Sequence, residues 1–411
     1  MIKIIMKIFG LTAFAALTLN VVSCSDDDFT DTIFDSTEYP LDQSAYTFPL
    51  DTFVKKNFLE PYNLRYLYRM QDIGSDMNYN LVPCSYNQSV TLAVLCKYLW
   101  YDVYKKHVGD VFLKSYSPRI IHVIGSPAYN PTQGTMVLGT AEGGLKITLY
   151  NAEQLSPSDI DYMNEYFFKT MHHEFAHILN QRYNRPTDFD LISNGKYNPI
   201  DWNNTPDSVA LSQGFVSNYA SSQAREDWVE VIANYIVKDT ITWRNMLNTA
   251  SWEWETADDV KVKHWEKINA EVLRGRANRD SVGYMIEVSS YANGDPETYK
   301  VQRKLIARDS LGYAIPGTNG EIQYLSTSGV NGRATILQKL GYVRNWLKEN
   351  FGYELDSIRM EVQHRQWLTN EKGEFVFDAT GKFINNLIYQ RSDGTTILDS
   401  LRQEVERFKK Q

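Results

Sequence analysis

At 411 residues, with a net charge of −8 and no basic stripe, the chain is ill suited to nucleic acid, whose phosphates demand clustered Lys and Arg. The length allows a sizeable core and two or three domains. Its 27 Tyr, 18 Phe and 9 Trp are core and interface formers first, and suit peptide- or sugar-binding surfaces second.

Residues 1–24 form a targeting segment rather than fold. Lys3 and Lys7 precede an apolar run from Ile8 to Val22, too short for a standard spanning helix. The run ends Leu19-Asn20-Val21-Val22-Ser23-Cys24, which resembles a bacterial lipobox. That resemblance implies cleavage before Cys24 and acylation of the cysteine; the alternative is an ordinary cleaved signal peptide. Several acyl chains anchor a protein firmly, whereas one binds marginally. Ser25-Asp26-Asp27-Asp28 resembles the export signal that sends lipoproteins of Bacteroidetes-type bacteria to the outer cell surface. Residues 24–45 read as an acidic, solvated tether. The expectation is a protein lipid-anchored in the outer membrane at the cell surface.

Folded sequence begins near Tyr46. Tyr62 to Met70 is aromatic-rich and alternates weakly. Val90, Leu92, Val94, Leu95, Leu99 and Val103 predict a helix over 87–107. Strand patterns follow at 119–125, 135–138 and 145–150, separated by Gly-rich turns. Cys84 and Cys96 either pair or are buried as free thiols.

The chain is organised around His173-Glu174-Phe175-Ala176-His177. It lies in a predicted helix from Ser158, an N-cap candidate, to about Gln181. Ile160, Met163, Phe167, Phe168, Met171, Phe175, Ile178 and Leu179 leave that helix little polar surface, so it should be buried. Buried imidazoles need partners. Two of them four residues apart share a helix face and can reach one Zn²⁺. Glu174 projects about 100° round the helix, beside the metal rather than on it, placed to take a proton from zinc-bound water.

Catalytic zinc needs a third protein ligand. A third His six residues after His177 would be a metzincin pattern, but that position is Tyr183. His172 points away from its neighbour His173 and reads as packing or as a support behind the ligands. His264 has no supporting pattern. The stronger source is a second amphipathic helix over 225–236, where Glu226 and Glu230 share one face. The reverse assignment of these two, or a part for Asp227, fits the same spacing.

Three resemblances bear on these residues. Helix, strands, then a metal-bearing helix is the opening order of the zincin metallopeptidase fold, in which the strand before the active helix lies at the sheet edge and pairs with extended substrate. If 145–150 is that strand, peptide would add there. The E-x-x-x-E pattern resembles the glutamate zincins, which implies Glu226 as zinc ligand and Glu230 as the carboxylate steadying a ligand His. Tyr219, seven residues before Glu226, resembles the tyrosine of anthrax lethal factor-type peptidases, implying a phenol facing the oxyanion.

Cys24 with its acidic run, the H-E-x-x-H stretch, and Gly214-Phe215-Val216-Ser217 through Glu230 together resemble one family. It is the zinc-binding metallopeptidases of Bacteroidetes-type bacteria, or substrate import-associated zinc metallohydrolase lipoproteins. The resemblance implies attachment to the outer membrane and association with SusC/SusD-like uptake receptors.

Further on, residues 240–285 look helical and carry Trp243, Trp252, Trp254 and Trp265. Residues 289–334 are loop-like with short strand patterns. A helix is expected over 335–350, turns of small hairpins near Gly373 and Gly381, and a last helix over 396–409. The expected fold is α+β: a signal peptide (1–23), a tether (24–45), a zincin-like domain (46–285), a loop-rich insertion (286–334) and a mostly helical C-terminal elaboration (335–411). The expected activity is hydrolysis of peptide or protein substrates by zinc-activated water, linked to nutrient import. The rival reading is a non-catalytic lipoprotein that captures substrate for an uptake receptor.

Overall fold

A computed structural model describes residues 44, 46–70, 79–129, 136–137, 139–142, 146–250, 253–257, 284–290, 296–303 and 330–409. The expected targeting segment, Cys24, almost all of the expected acidic tether and His264 lie outside the described residues. The folded unit comprises residues 45–411.

Six short strands come first: β1 (Arg65–Leu67), β2 (Ile120–Val123), β3 (Ala128–Tyr129), β4 (Met136–Val137), β5 (Gly139–Glu142) and β6 (Lys146–Leu149). The main sheet runs β1-β2-β6-β5. The first three strands are parallel, with Tyr66 opposite Ile121 and Ile121 opposite Ile147. β5 returns antiparallel, Glu142 opposite Lys146. β3 and β4 form a separate two-stranded ribbon.

The strand before the motif helix is not at the sheet edge, contrary to expectation. That strand is β6, which lies inside the sheet, and β5 holds the edge. Burial explains the difference. Ile147, Thr148 and Leu149 are buried in succession, on both faces of the strand, as in a strand covered on both sides rather than a half-exposed edge.

Helices surround this sheet. They are α1 (Phe48–Val54), α2 (86–108), α3 (Asp110–Tyr116), α4 (160–182), α5 (Thr187–Ile192), α6 (Asp207–Ser212) and α7 (Ala224–Val237). α8 (Thr240–Thr249), α9 (Gly332–Phe351), α10 (Leu355–Gln366) and α11 (Ile397–Glu406) complete them. α1 runs on through a π-type turn at Lys55–Leu59 to a last helical turn at Glu60–Tyr62, and α2 and α4 each contain one π-type turn, at Lys97–Tyr101 and Asn164–Phe168. The cap of α4 is Asp159 rather than Ser158. Its carboxylate accepts from the Tyr162 amide at 2.9 Å, while the Ser158 hydroxyl pairs with that of Ser156. Among the described residues, no helix is long and apolar enough to cross a membrane.

The stretch after α8 also departs from expectation. Glu253–Ala257 is strand β7, paired to β9 (Pro296–Arg303), with β8 (Tyr284–Ser290) on the other side of β9. Trp254 and Thr256 alternate with Glu253, Glu255 and Ala257. That is a period of two, which a strand satisfies and a helix does not.

α4 and α7 pack side by side in the core. The face of α4 away from His173 and His177 holds Phe175, whose ring meets Trp100, Tyr104 and Phe112 at 4.8, 5.2 and 5.9 Å. On α7, Trp228 meets Phe189 and Trp346 edge-on. Burying such a side chain contributes roughly 1.5–3 kcal/mol each. The C-terminal helices share this core. Gln363 of α10 donates to the Ile236 carbonyl at 3.1 Å, and Asn164 of α4 donates to that of Val237 at 2.9 Å. Cys84 and Cys96 are buried free thiols; burial pushes Cys84 up to about 11 and Cys96 higher still.

Candidate metal centre

His173 and His177 lie one turn apart on α4, and Glu226 stands in the first turn of α7. The crossing of the two helices brings the three together. Glu226 Oε2 lies 3.1 Å from His173 Nε2 and 3.1 Å from His177 Nε2. Two nitrogens and one carboxylate oxygen all lie within 4.8 Å of one another. Zinc ligands at about 2.0–2.1 Å in a tetrahedron stand about 3.3 Å apart. The donor set and its spacing therefore fit Zn²⁺.

The other nitrogen of His173 is held from behind. Its Nδ1 meets Glu230 Oε1 at 2.7 Å. Glu230 Oε2 accepts from the Ser217 hydroxyl at 2.6 Å and from Asn234 Nδ2 at 3.0 Å. With Nδ1–H donating to a carboxylate, the lone pair of Nε2 is left for a metal. Neither Ser217 nor Asn234 stands out as a site residue from sequence. Asn234 follows Glu230 by four residues, and that helical-neighbour spacing is its one local signal. Ser217 sits in a loop and has no periodic signal.

The cluster is short of positive charge. Burial opposes charging His173, but the Glu226 and Glu230 carboxylates outweigh it and push the imidazole up to about 10. Burial likewise opposes charge on Glu230, yet Lys169 and His173 pull it down to about 2. Glu226 is held well below the carboxylate range, burial being outweighed by the two histidines. Glu174 is also buried, and burial lifts its carboxyl above the usual value.

Tyr219 opens a short 3-10 turn, Tyr219–Ser221. Its ring packs on His173 at 5.8 Å and on Trp202 at 4.9 Å. Burial and the neighbouring carboxylates of Glu226, Glu230 and Glu174 raise its phenol, so it stays protonated and able to donate.

His172 is directed elsewhere. Its Nδ1 meets the Tyr104 hydroxyl at 3.0 Å, and burial pushes it down to about 3. Asp227, the third acid of the stretch, faces away from the histidines. It pairs with Lys339 Nζ at 2.6 Å and accepts from Tyr197 at 3.0 Å.

A family model described as "putative zinc-binding metallo-peptidase" matches residues 43–356. Among solved structures, the crystal structure of a putative zinc-binding metallo-peptidase from Bacteroides caccae is similar, at 30% identity and a TM-score of 0.53. The match covers 81% of this chain and 95% of that one. No curated protein matches. With the family model spanning most of the folded unit, the chain belongs to the zinc-binding metallo-peptidase family, and zinc is its metal.

Proposed function

We propose that the chain is a surface-anchored zinc peptidase in which His173, His177 and Glu226 hold the metal and Glu174 is the general base. One observation carries this reading: the meeting of His173 Nε2, His177 Nε2 and Glu226 Oε2 at a single point. Zinc in such a site polarises the scissile carbonyl and acidifies water toward a pKa near 7.

The chain's own residues do the rest. A Glu174 carboxylate oxygen takes a proton from the attacking water and hands it to the leaving amine nitrogen. The Tyr219 hydroxyl donates to the oxyanion of the tetrahedral intermediate. Glu230, held by Ser217 and Asn234, keeps the His173 ring in one orientation. Acylation at Cys24 and the acidic run behind it tether the enzyme to the outer membrane, facing outward. There it trims peptides for an uptake receptor of the SusC/SusD type.

The test replaces Glu174 with Gln. Zinc content should stay at the wild-type level while kcat on a mixed peptide library falls about 100- to 10,000-fold. Undiminished cleavage by the Gln variant would remove the mechanism. Labelling of the cell-borne protein with a palmitate analogue, lost in Cys24→Ser, tests the anchor.

A further inference from the structure

Deep behind the metal centre lies an ion pair with both side chains at 0% exposure, Lys339 Nζ to Asp227 Oδ2 at 2.6 Å. Lys339 is on α9, more than a hundred residues from the H-E-x-x-H stretch. Asp227 follows the ligand Glu226 directly, in the same helical turn. Their side chains leave the helix about 100° apart, Glu226 to the histidines and Asp227 to Lys339.

The ammonium has three protons to place. One goes to Asp227. A second goes to the Gly214 carbonyl at 2.8 Å. The cation also stands 4.1 Å from the centre of the Phe215 ring. Gly214 begins the loop that carries Ser217, which holds Glu230, and Tyr219, which packs on His173. A single cation thus binds both the turn that carries Glu226 and the start of the loop that carries Ser217 and Tyr219.

The backbone at this contact leaves no slack. Gly214 has φ +88, and a Cβ there would lie 2.4 Å from Thr335 Cγ2, one turn before Lys339. Gly332 lies close enough that its Cβ would meet the Leu211 carbonyl oxygen at 2.3 Å. Gly332, Thr335 and Lys339 lie on one stripe of α9 pressed against residues 211–214.

Stability alone does not account for such a pair. Desolvating two ions offsets much of their attraction, and well-packed apolar residues often serve as well or better. Asp227 Oδ1 adds to that cost, having no hydrogen-bond partner among the described residues. What the pair supplies that apolar packing does not is direction.

We propose that Lys339 is a positioning residue for the metal centre, its ammonium fixing the Glu226 turn to the loop that carries Ser217 and Tyr219. This rests on the peptidase reading of the site.

The test compares the full chain with Asp227→Asn and with the double variant Lys339→Met/Asp227→Leu. Zinc Kd is read by competition with a chromophoric chelator, melting of the metal-free protein by circular dichroism, and local order by amide hydrogen exchange. The double variant, which takes their partners from the Tyr197 hydroxyl and the Gly214 carbonyl, should still melt cooperatively, a few degrees below wild type. Its zinc Kd should rise about 10- to 100-fold, as for other groups that orient ligands. Exchange in the metal-free protein should quicken at residues 214–222 and 224–228 and stay unchanged in α2. kcat should fall with KM nearly constant. Asp227→Asn keeps the shape but leaves the buried ammonium without its counter-charge. It should therefore melt below the double variant while showing the same rise in zinc Kd and the same local quickening of exchange, and it decides the matter alone if the double variant does not fold. Wild-type zinc affinity and unchanged local exchange in a folded variant would overturn the role of Lys339 and leave the peptidase reading intact. A wild-type chain that binds no zinc would sink both.

Discussion

Glu230 Oε1 stands 2.7 Å from Nδ1 of His173, on the opposite side of the ring from Glu226, which meets Nε2 at 3.1 Å. The imidazole is clamped between two carboxylates from one helix, four residues apart. In the proposed site one of them is a metal ligand and the other sets the ring. Removing the rear carboxylate should therefore weaken the metal without deleting a ligand. Glu230→Gln is expected to raise the zinc Kd about 10- to 100-fold, and Glu226→Gln to raise it further. Chelator competition at fixed pH measures both, and equal zinc affinities in wild type and Glu230→Gln would count against the clamp.

Tyr219 tests a different part of the site. Its ring lies on His173 and its hydroxyl stays protonated. In Tyr219→Phe the ring contact survives and the donor is lost. Zinc binding should be unchanged, while kcat falls about 100- to 1,000-fold, the usual cost of one oxyanion donor. If turnover held steady in Tyr219→Phe, the hydroxyl would have no part in the reaction.

Phe175 sits between the two motif histidines in sequence but faces the core, 1% exposed, against Trp100, Tyr104 and Phe112. Truncation removes a large buried ring and leaves a cavity. Phe175→Ala should cost about 3–5 kcal/mol in urea unfolding of the metal-free protein. A loss below about 1 kcal/mol would mean that the helix is not packed on α2 as described.

Acid should loosen the contact of α10 with α2. Glu361 is bonded to Lys106 at 2.7 Å and to Arg365 at 2.8 Å. Burial raises its carboxyl, but these two cations outweigh it and hold it at about 2, against an ordinary 4.5. An acid with a folded value below its unfolded one contributes stability that is complete above the unfolded value. It is lost as pH falls toward the folded value. The unfolding midpoint should thus drop between pH 4.5 and about 2, and drop less steeply in Glu361→Gln. Parallel pH profiles for the two proteins would contradict this.

The helical parts of the site were legible in the sequence because helices obey a short-range rule. His173 and His177 share a face by spacing alone, and so do Glu226 and Glu230; the apolar stripes of α2, α4, α7 and α9 declare their buried sides in the same way. Spacing could not say which acid meets the imidazoles, since Glu226, Asp227 and Glu230 all fit one helical turn. The crossing of α4 and α7 decides it, sending Glu226 and Glu230 to His173 and Asp227 to Lys339. The sheet edge was also hidden, because strand order depends on pairing between segments and not on the alternation within one. Lys339 and Ser217 were invisible for the same reason: a buried cation or a loop hydroxyl has no local pattern, and its partners are set only when distant elements are brought together.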